Sequence, residues 1–433
     1  MDWLNKEIAE QWRSEAKRYA SDVNAFVHRM LQGEHPNESE LTEDARNSMS
    51  SKVMKMVKQA NLQDDVERLR IELPAATWPL STHFQDSMQA VQAVCYLNED
   101  TVLCNTEILS NRGQVYTLDS YGWWRSPDDT FAGCSSNGDY VALANGEGVR
   151  VVCKPDRRLE GEQVAFFRWE RIQNHIKSML PEIESLAYSV HPEWKLEKLI
   201  PLDQGKKLLL QSQYGIYLIE QEKVTILHPD VAEIVEHEYE DTQISMGHVA
   251  VSVDDRWIAW GSQMSSHIVL DRETNRMYEV QPESSYPHCV TFSRDSEVVW
   301  FNACHFYNGV TIQVHLANMV SSEQEEQWPI MDENARVYAM VETEEGMVIG
   351  DAYGYLYCIN RVGQELWRHF VGSTIYSLAV SPGKSKLAVG TYGGMLHILD
   401  LHSESMDEYG IGTGTLREQE RYILWREQDP LRW

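Results

Sequence analysis

Two short pairs in the chain set a thiol beside an imidazole: His288-Cys289 and Cys304-His305. Such a pair can serve thiolate chemistry or begin a metal site, since imidazole takes up the thiol proton and both groups ligate zinc. The residues around each pair alternate as a strand does, however, so neighbouring side chains point to opposite faces and cannot easily reach one ion. A core cysteine beside an exposed or loop histidine is the favoured reading, and no metal is expected. The G-x-S-x-G elbow, H-E-x-x-H, the phosphate-binding P-loop and the dinucleotide fingerprint do not occur. Gly410-Ile411-Gly412-Thr413-Gly414 lacks the lysine of a phosphate cradle and reads as a linker. Acids number 66, so any two of them can be paired as acid and base and the pairing has no specificity. No catalytic residue and no cofactor is assigned.

A second set of residues suits recognition better than catalysis. Tyr214, Met264, His305, Phe306, Tyr307, Tyr353 and Tyr392 fall in turns between short apolar runs, and Trp123-Trp124 adds aromatic surface. Aromatic side chains rimmed by acids suit a protein-binding hot spot. The Tyr-Gly pairs at 214-215, 353-354 and 392-393 equally fit turns whose tyrosines pack inside the fold.

The elements that position these turns show in a repeat. Met347-Val348-Ile349-Gly350 through Asn360 returns as Leu387-Ala388-Val389-Gly390 through Asp400, with Gly350 and Gly390 a step of 40 apart (390 − 350). Strand, glycine turn, strand at that period predicts β-propeller blades. Seven polar pairs, from Asn98-Glu99 to Gly383-Lys384, mark the turn between the first and second strands of seven blades. The intervals run from 39 (137 − 98) to 66 (203 − 137) residues, so some blades carry insertions. The longest holds a helical insertion at about 160–190, and the acidic runs Glu233 to Asp241 and Glu323 to Glu326 read as solvated loops.

The expected fold is therefore mainly β: a seven-bladed β-propeller over 73–402, an N-terminal α-helical extension over 1–72 and a C-terminal tail over 403–433. Helical periodicity runs from Trp3 to Leu31 and again from Thr42 to Leu69, with a break near Asn61. These apolar stripes need a partner surface: the propeller or each other first, and otherwise a second copy or another protein, for which the helices would be a second docking element. Blade seven shows only three strands before Ser403, and a ring must close to hide its edges. Ala76 to Leu80 or Arg421 to Trp425 must pair with Leu396–Leu401. Pro79 suits an edge, which favours the amino-terminal segment.

Blade seven resembles a WD40 repeat, with Leu399-Asp400 where that family has Trp-Asp. Blade six, with Gly363-Gln364-Glu365-Leu366-Trp367 after its third strand, is similar to the repeats of quinoprotein-like propellers. The resemblance implies the fold. The chain lacks regular Gly-His and Trp-Asp pairs and the adjacent cysteine pair of many quinone-dependent dehydrogenases, so no quinone is implied.

Lysine and arginine total 38 among 433 residues, giving a net charge of −28. That charge disfavours nucleic acid and anionic lipid, and it speeds association with a basic protein. The start, Met1 to Glu7, carries acids where a signal peptide needs bases, and no long apolar stretch suggests a membrane span. The 7 cysteines form no CxxC pair and read as reduced, buried residues of a cytoplasmic protein. These features point to a non-catalytic scaffold or neutralising subunit that binds a basic protein through an acidic and aromatic face. A propeller enzyme, hydrolase or quinone-dependent, using the central channel is the alternative. A deep polar funnel would favour the enzyme; an aromatic rim over a filled channel would favour the binder.

Overall fold

Antiparallel four-stranded meanders form wherever the sequence offers four short alternating runs joined by tight turns, and this chain does so seven times. The computed structural model describes residues 2–106, 113–180, 196–221, 223–236, 242–321, 327–403, 407–412, 414 and 416–433. Seven sheets follow one another in chain order, six of four strands and the last of five. Their first strands are Val91–Tyr96, Phe131–Cys134, Leu196–Leu202, His248–Val251, Tyr286–Phe292, Val337–Glu342 and Ile375–Val380. Each lies beside the first strand of the next sheet, and the seventh lies beside the first. The molecule is a closed seven-bladed β-propeller.

The repeated glycines sit where blades touch. A Cβ on Gly390 would lie 2.1 Å from the Val91 carbonyl oxygen of blade one, and one on Gly350 would lie 2.5 Å from Ile375 of blade seven. Other blades fill the equivalent place with an amide. Asn105 donates to the Ala132 carbonyl and accepts from its N–H at 2.8 and 2.9 Å, and Asn302 makes the same pair with Ala335 and Val337. Buried polar groups at these joints are thus satisfied across the blade boundary.

The ring closes at its carboxy end, contrary to the preference for Ala76 to Leu80. Arg417–Ile423 pairs with Met395–Asp400 as the fourth strand of blade seven, and Leu431–Arg432 adds a fifth. Residues read as a tail outside the propeller therefore complete it. Four consecutive apolar residues explain the choice. Tyr422 and Leu424 enter the core shared with blade one, while Ile423 and Trp425 face the amino-terminal helices. A strand covered on both sides needs that continuous run. Pro79 lies instead in the first turn of a short helix, Trp78–Ser81, where its missing N–H costs nothing.

Four α-helices precede the ring: α1 (Lys6–Leu31), α2 (Ser50–Leu62), α3 (Val66–Glu72) and the short α4 (Trp78–Ser81). The expected second helix is broken at Gln63–Asp65, where Asp64 takes a φ of +53°. Ala9, Trp12, Val53, Val57 and Leu69 bury against Met395, Ile423, Trp425 and Trp433 of blade seven. Trp12 Nε1 donates to Pro74 O at 2.8 Å and Trp433 Nε1 to Leu73 O at 2.6 Å, with the two indoles 6.4 Å apart. The apolar stripe offered for a second copy is covered by the chain's own ring.

The insertion after blade two begins as expected, with strand Glu162–Arg168 and helix α5 (Trp169–Met179); residues 181–195 lie outside the described residues. Of the acidic runs, Val231–Glu236 is helical, and 237–241 and 322–326 lie outside the described residues. No helix among the described residues is long and apolar enough to cross a membrane.

Candidate protein-docking face

In each blade the turns between strands one and two, and three and four, lie on one face of the ring. The turns between strands two and three, and the links between blades, lie on the other. His305, Phe306, Tyr307, Tyr353 and Tyr392 belong to that second face, on blades five, six and seven. Phe306 is 70% exposed, Tyr307 63% and Tyr353 55%. Their rings join into a run: Tyr286 and His305 stack at 6.1 Å, His305 meets Phe306 at 4.7 Å, and Tyr307 meets Tyr353 at 5.9 Å. Tyr392 lies deeper, edge-on to Tyr338 at 5.6 Å and to Tyr376 at 4.7 Å. It supports the surface from within, so the structural reading of the Tyr-Gly turns holds for Tyr392 and not for Tyr353.

The other candidates do not join this run. Tyr214 is half-buried on blade three, and Met264 stands 89% exposed on blade four. Trp123 and Trp124 are on the outer strand Gly122–Arg125 at the ring's flank, where Trp123 packs edge-on to Tyr116 and Trp124 against the core of blades one and two. The expected acidic rim is also misplaced. The second-to-third-strand turns of blades five to seven contain no acid. The acids concentrate on the opposite face, where they tie blades together. Asp255 accepts from the Asp203 N–H at 2.7 Å, Arg272 pairs with Asp203 at 2.7 Å, Arg361 bridges Asp295 and Glu342, and Lys386 pairs with Asp100 at 2.5 Å. Acidic and aromatic surfaces are thus two faces, not one.

Residues missed by the sequence reading complete the site. The first strands of blades three, five, six and seven each slip register by one residue near their start. The unpaired residues are Glu197, His288, Tyr338 and Tyr376. A bulge re-aims the side chain it carries, and these four gather at the mouth of the channel. His288 meets Tyr338 edge-on at 4.8 Å, and Tyr376 crosses to pack against the core of blades two and three. Tyr376 therefore reaches across the channel at this level. Period-two reading could not find these residues, because a bulge breaks that period. The signal available was Val337-Tyr338 and Ile375-Tyr376 recurring beside the paired glycines.

Arg336 underlies the patch. Its N–H donates to Tyr307 O at 3.1 Å, its carbonyl accepts from the Ala352 N–H at 3.1 Å, and Nη1 reaches Phe306 O at 3.3 Å. Its guanidinium lies 4.9 Å from the Tyr338 ring. Phe306, held at a φ of +55°, is a bulky residue in a conformation such residues rarely adopt. Strain of that kind is kept where the surroundings enforce it.

The thiol–imidazole pairs separate as strand geometry requires. Cys289 and Cys304 are buried, while His305 is exposed and His288 faces the channel. His288 is thus half-buried at a bulge instead of in a loop. Burial, with the Arg336 charge, brings its pKa down to about 3. His248 and His267 meet at 3.1 Å in the core, His267 stacked 4.2 Å from Phe301, and burial lowers both. No group of three potential ligands forms a metal site among the described residues. All seven cysteines are free thiols. An open groove of about 350 Å³ on the insertion helix is lined by Arg168, Glu170, Arg171, Asn174, His175 and Ser178, well away from the channel.

Ring and patch together define a seven-bladed propeller with an aromatic face over its last three blades. Among solved structures it is similar to the β-propeller domain of Cps50 (Swd1) from Myceliophteria thermophila. That match is 12% identical and covers 70% of this chain and 92% of that one, with a TM-score of 0.47. Hsv2 from Kluyvelomyces marxianus is 8% identical, with 78% and 99% covered and a TM-score of 0.46. No protein-family model and no curated protein matches the chain.

Proposed function

We propose that the chain is a non-catalytic scaffold whose protein partner docks on the aromatic face over blades five to seven. The observation that carries this reading is the run of Phe306, Tyr307 and Tyr353, adjoining and all exposed. Single exposed apolar residues are ordinary, but adjoining ones mark interaction surfaces, and aromatic anchors dominate binding energy where they occur. Tyr376 reaches across the channel beneath to the core of blades two and three, which supports a binder over an enzyme working through the channel.

A second surface supports the partner's expected basicity. The chain carries a net charge of −28, and acids crowd the opposite face, so a basic protein gains association rate there. Unpaired cysteines throughout support a reducing, cytoplasmic setting.

The test compares proteins co-purifying from the native cell with the wild-type chain and with the F306A/Y307A/Y353A variant. Loss of a stoichiometric partner in the variant, at unchanged thermal midpoint, is the expected result. Equal recovery by both chains would overturn the reading.

A further inference from the structure

A guanidinium without a counter-charge lies at the centre of the aromatic face. Among the described residues Arg336 has no carboxylate partner; its Nη1 meets only the Phe306 carbonyl, and its Nε is shut off from solvent with no hydrogen-bond acceptor. Beside it, both ring nitrogens of His288 are equally enclosed and unpaired. The hydroxyls of Tyr338, Tyr376 and Tyr392 make no hydrogen bond among the described residues. Buried polar groups ordinarily find partners, and a half-buried cation left without one is costly. A guanidinium without a counter-charge among the described residues and several open hydroxyls at one channel mouth point to a ligand that pairs them.

The chemistry of that ligand follows from the donors. Guanidinium offers a planar fork that a carboxylate matches with two parallel hydrogen bonds. The open hydroxyls of Tyr338, Tyr376 and Tyr392 supply further donors. A single arginine balances one negative charge, which fits a carboxylate better than a dianionic phosphate. Lys198, the other base of the inner strands here, is already bound to Val249 O at 2.9 Å. Glu197 is the acid that comes toward Tyr376 and Tyr392 from blade three, and Gln211 Nε2 holds it at 2.5 Å. The wider charge of −28 does not decide the matter, because charges beyond about 8–10 Å are largely screened at physiological salt while the fork acts at contact.

We propose that Arg336 forms a carboxylate-binding site, beside His288, that accepts an aspartate or glutamate side chain of a docking peptide segment, with Phe306, Tyr307 and Tyr353 packing on its apolar neighbours. This rests on the scaffold reading and names the anchor within that face. The aromatic run gives the segment area, and the carboxylate fixes its register.

A random dodecapeptide display library selected against the full chain provides the probe. Selected peptides carry an acid beside apolar residues. Glu→Gln in such a peptide, or Arg336→Met in the chain, weakens binding about tenfold, the order expected for a charge-assisted pair. Arg336→Lys keeps the charge but loses the fork and restores only part of the affinity, while urea midpoints confirm that both variants fold. Recovery of no binder, of peptides lacking an acid, or of peptides indifferent to Arg336→Met overturns the site. Tighter binding after Glu→phosphoserine replacement overturns the carboxylate assignment. If Arg336→Met keeps the native partner while F306A/Y307A/Y353A loses it, the anchor falls and the docking face stands. If both keep it, both readings fall.

Discussion

The two faces of the ring are made by the same strands and carry opposite chemistry. On the face of the first-to-second-strand turns, Asp203, Asp295, Glu342 and Asp100 are engaged by Arg272, Arg361 and Lys386 from the same or the neighbouring blade. Those charges answer one another. On the other face, over blades five to seven, the turns carry Phe306, Tyr307 and Tyr353 above Arg336, which no carboxylate among the described residues answers. Where polar groups satisfy each other across blades, a turn has a structural task. Where apolar rings and an unpaired cation are left facing outward, the fold itself supplies no reason for them.

The strongest way to break the comparison is to open the ring on which both faces depend. Tyr422 is buried between blades seven and one, with its hydroxyl donating to Asp119 O at 2.8 Å. Tyr422→Ala is expected to cost about 3–5 kcal/mol, read as a lower urea midpoint. An unchanged midpoint would mean that the carboxy strand is not what closes the ring.

Next in size is the functional contrast. F306A/Y307A/Y353A should lose more than about 2 kcal/mol of partner affinity while stability stays within about 0.5 kcal/mol. Calorimetry with the isolated partner measures the first quantity and a urea titration the second. A fall in stability equal to the loss in binding would assign these rings to the fold.

Acid separates the faces by pH. Burial and the Arg336 charge hold His288 neutral, its pKa at about 3, so the unfolded chain takes up this proton first. Its contribution is complete above about pH 6.5 and drains as pH falls toward 3. Asp295 behaves differently. Burial works against its charge, but hydrogen bonds from Ser293 and Arg361 hold the carboxyl at about 2. Its contribution is present above about pH 4 and is lost as pH falls toward 2. His288→Phe should therefore flatten the fall in stability between pH 6.5 and 5 by up to about 1 kcal/mol per unit, leaving the share due to the other buried histidines, His228, His248, His267, His369 and His397. Asp295→Asn should leave that window alone and act only below about pH 4. Identical pH profiles for the two variants would remove the distinction.

The smallest effect is expected from Arg361→Met. Arg361 is half-exposed between Asp295 and Glu342, and pairs of this kind are worth about 1 kcal/mol or less. Its loss should shrink further in high salt, whereas the aromatic variant should respond little.

The architecture was legible because its cause is local. Gly350 and Gly390 recur where the next blade leaves no space for a Cβ, and the helical stripe of Trp12, Ala16 and Val23 has the spacing of one buried face. The closing strand was legible in principle, since Tyr422 to Trp425 is apolar on both faces, but Pro79 drew the choice elsewhere. Proline excludes a residue from a central strand without placing it in an edge.

The sequence by itself determined the period of 40, the seven sheets, the leading helices and the presence of aromatic turns, because each depends on neighbours along the chain. Tertiary structure decided which aromatics meet. Trp123 and Tyr353 look alike as residues in turns or edges, yet one packs on the ring's flank and the other stands on its face. It also decided that acids and aromatics part to opposite faces, since turns of alternate parity point opposite ways. The bulges at Glu197, His288, Tyr338 and Tyr376 were likewise its work. Each adds one residue against a partner strand, and no pattern within a single strand records how its neighbour is set.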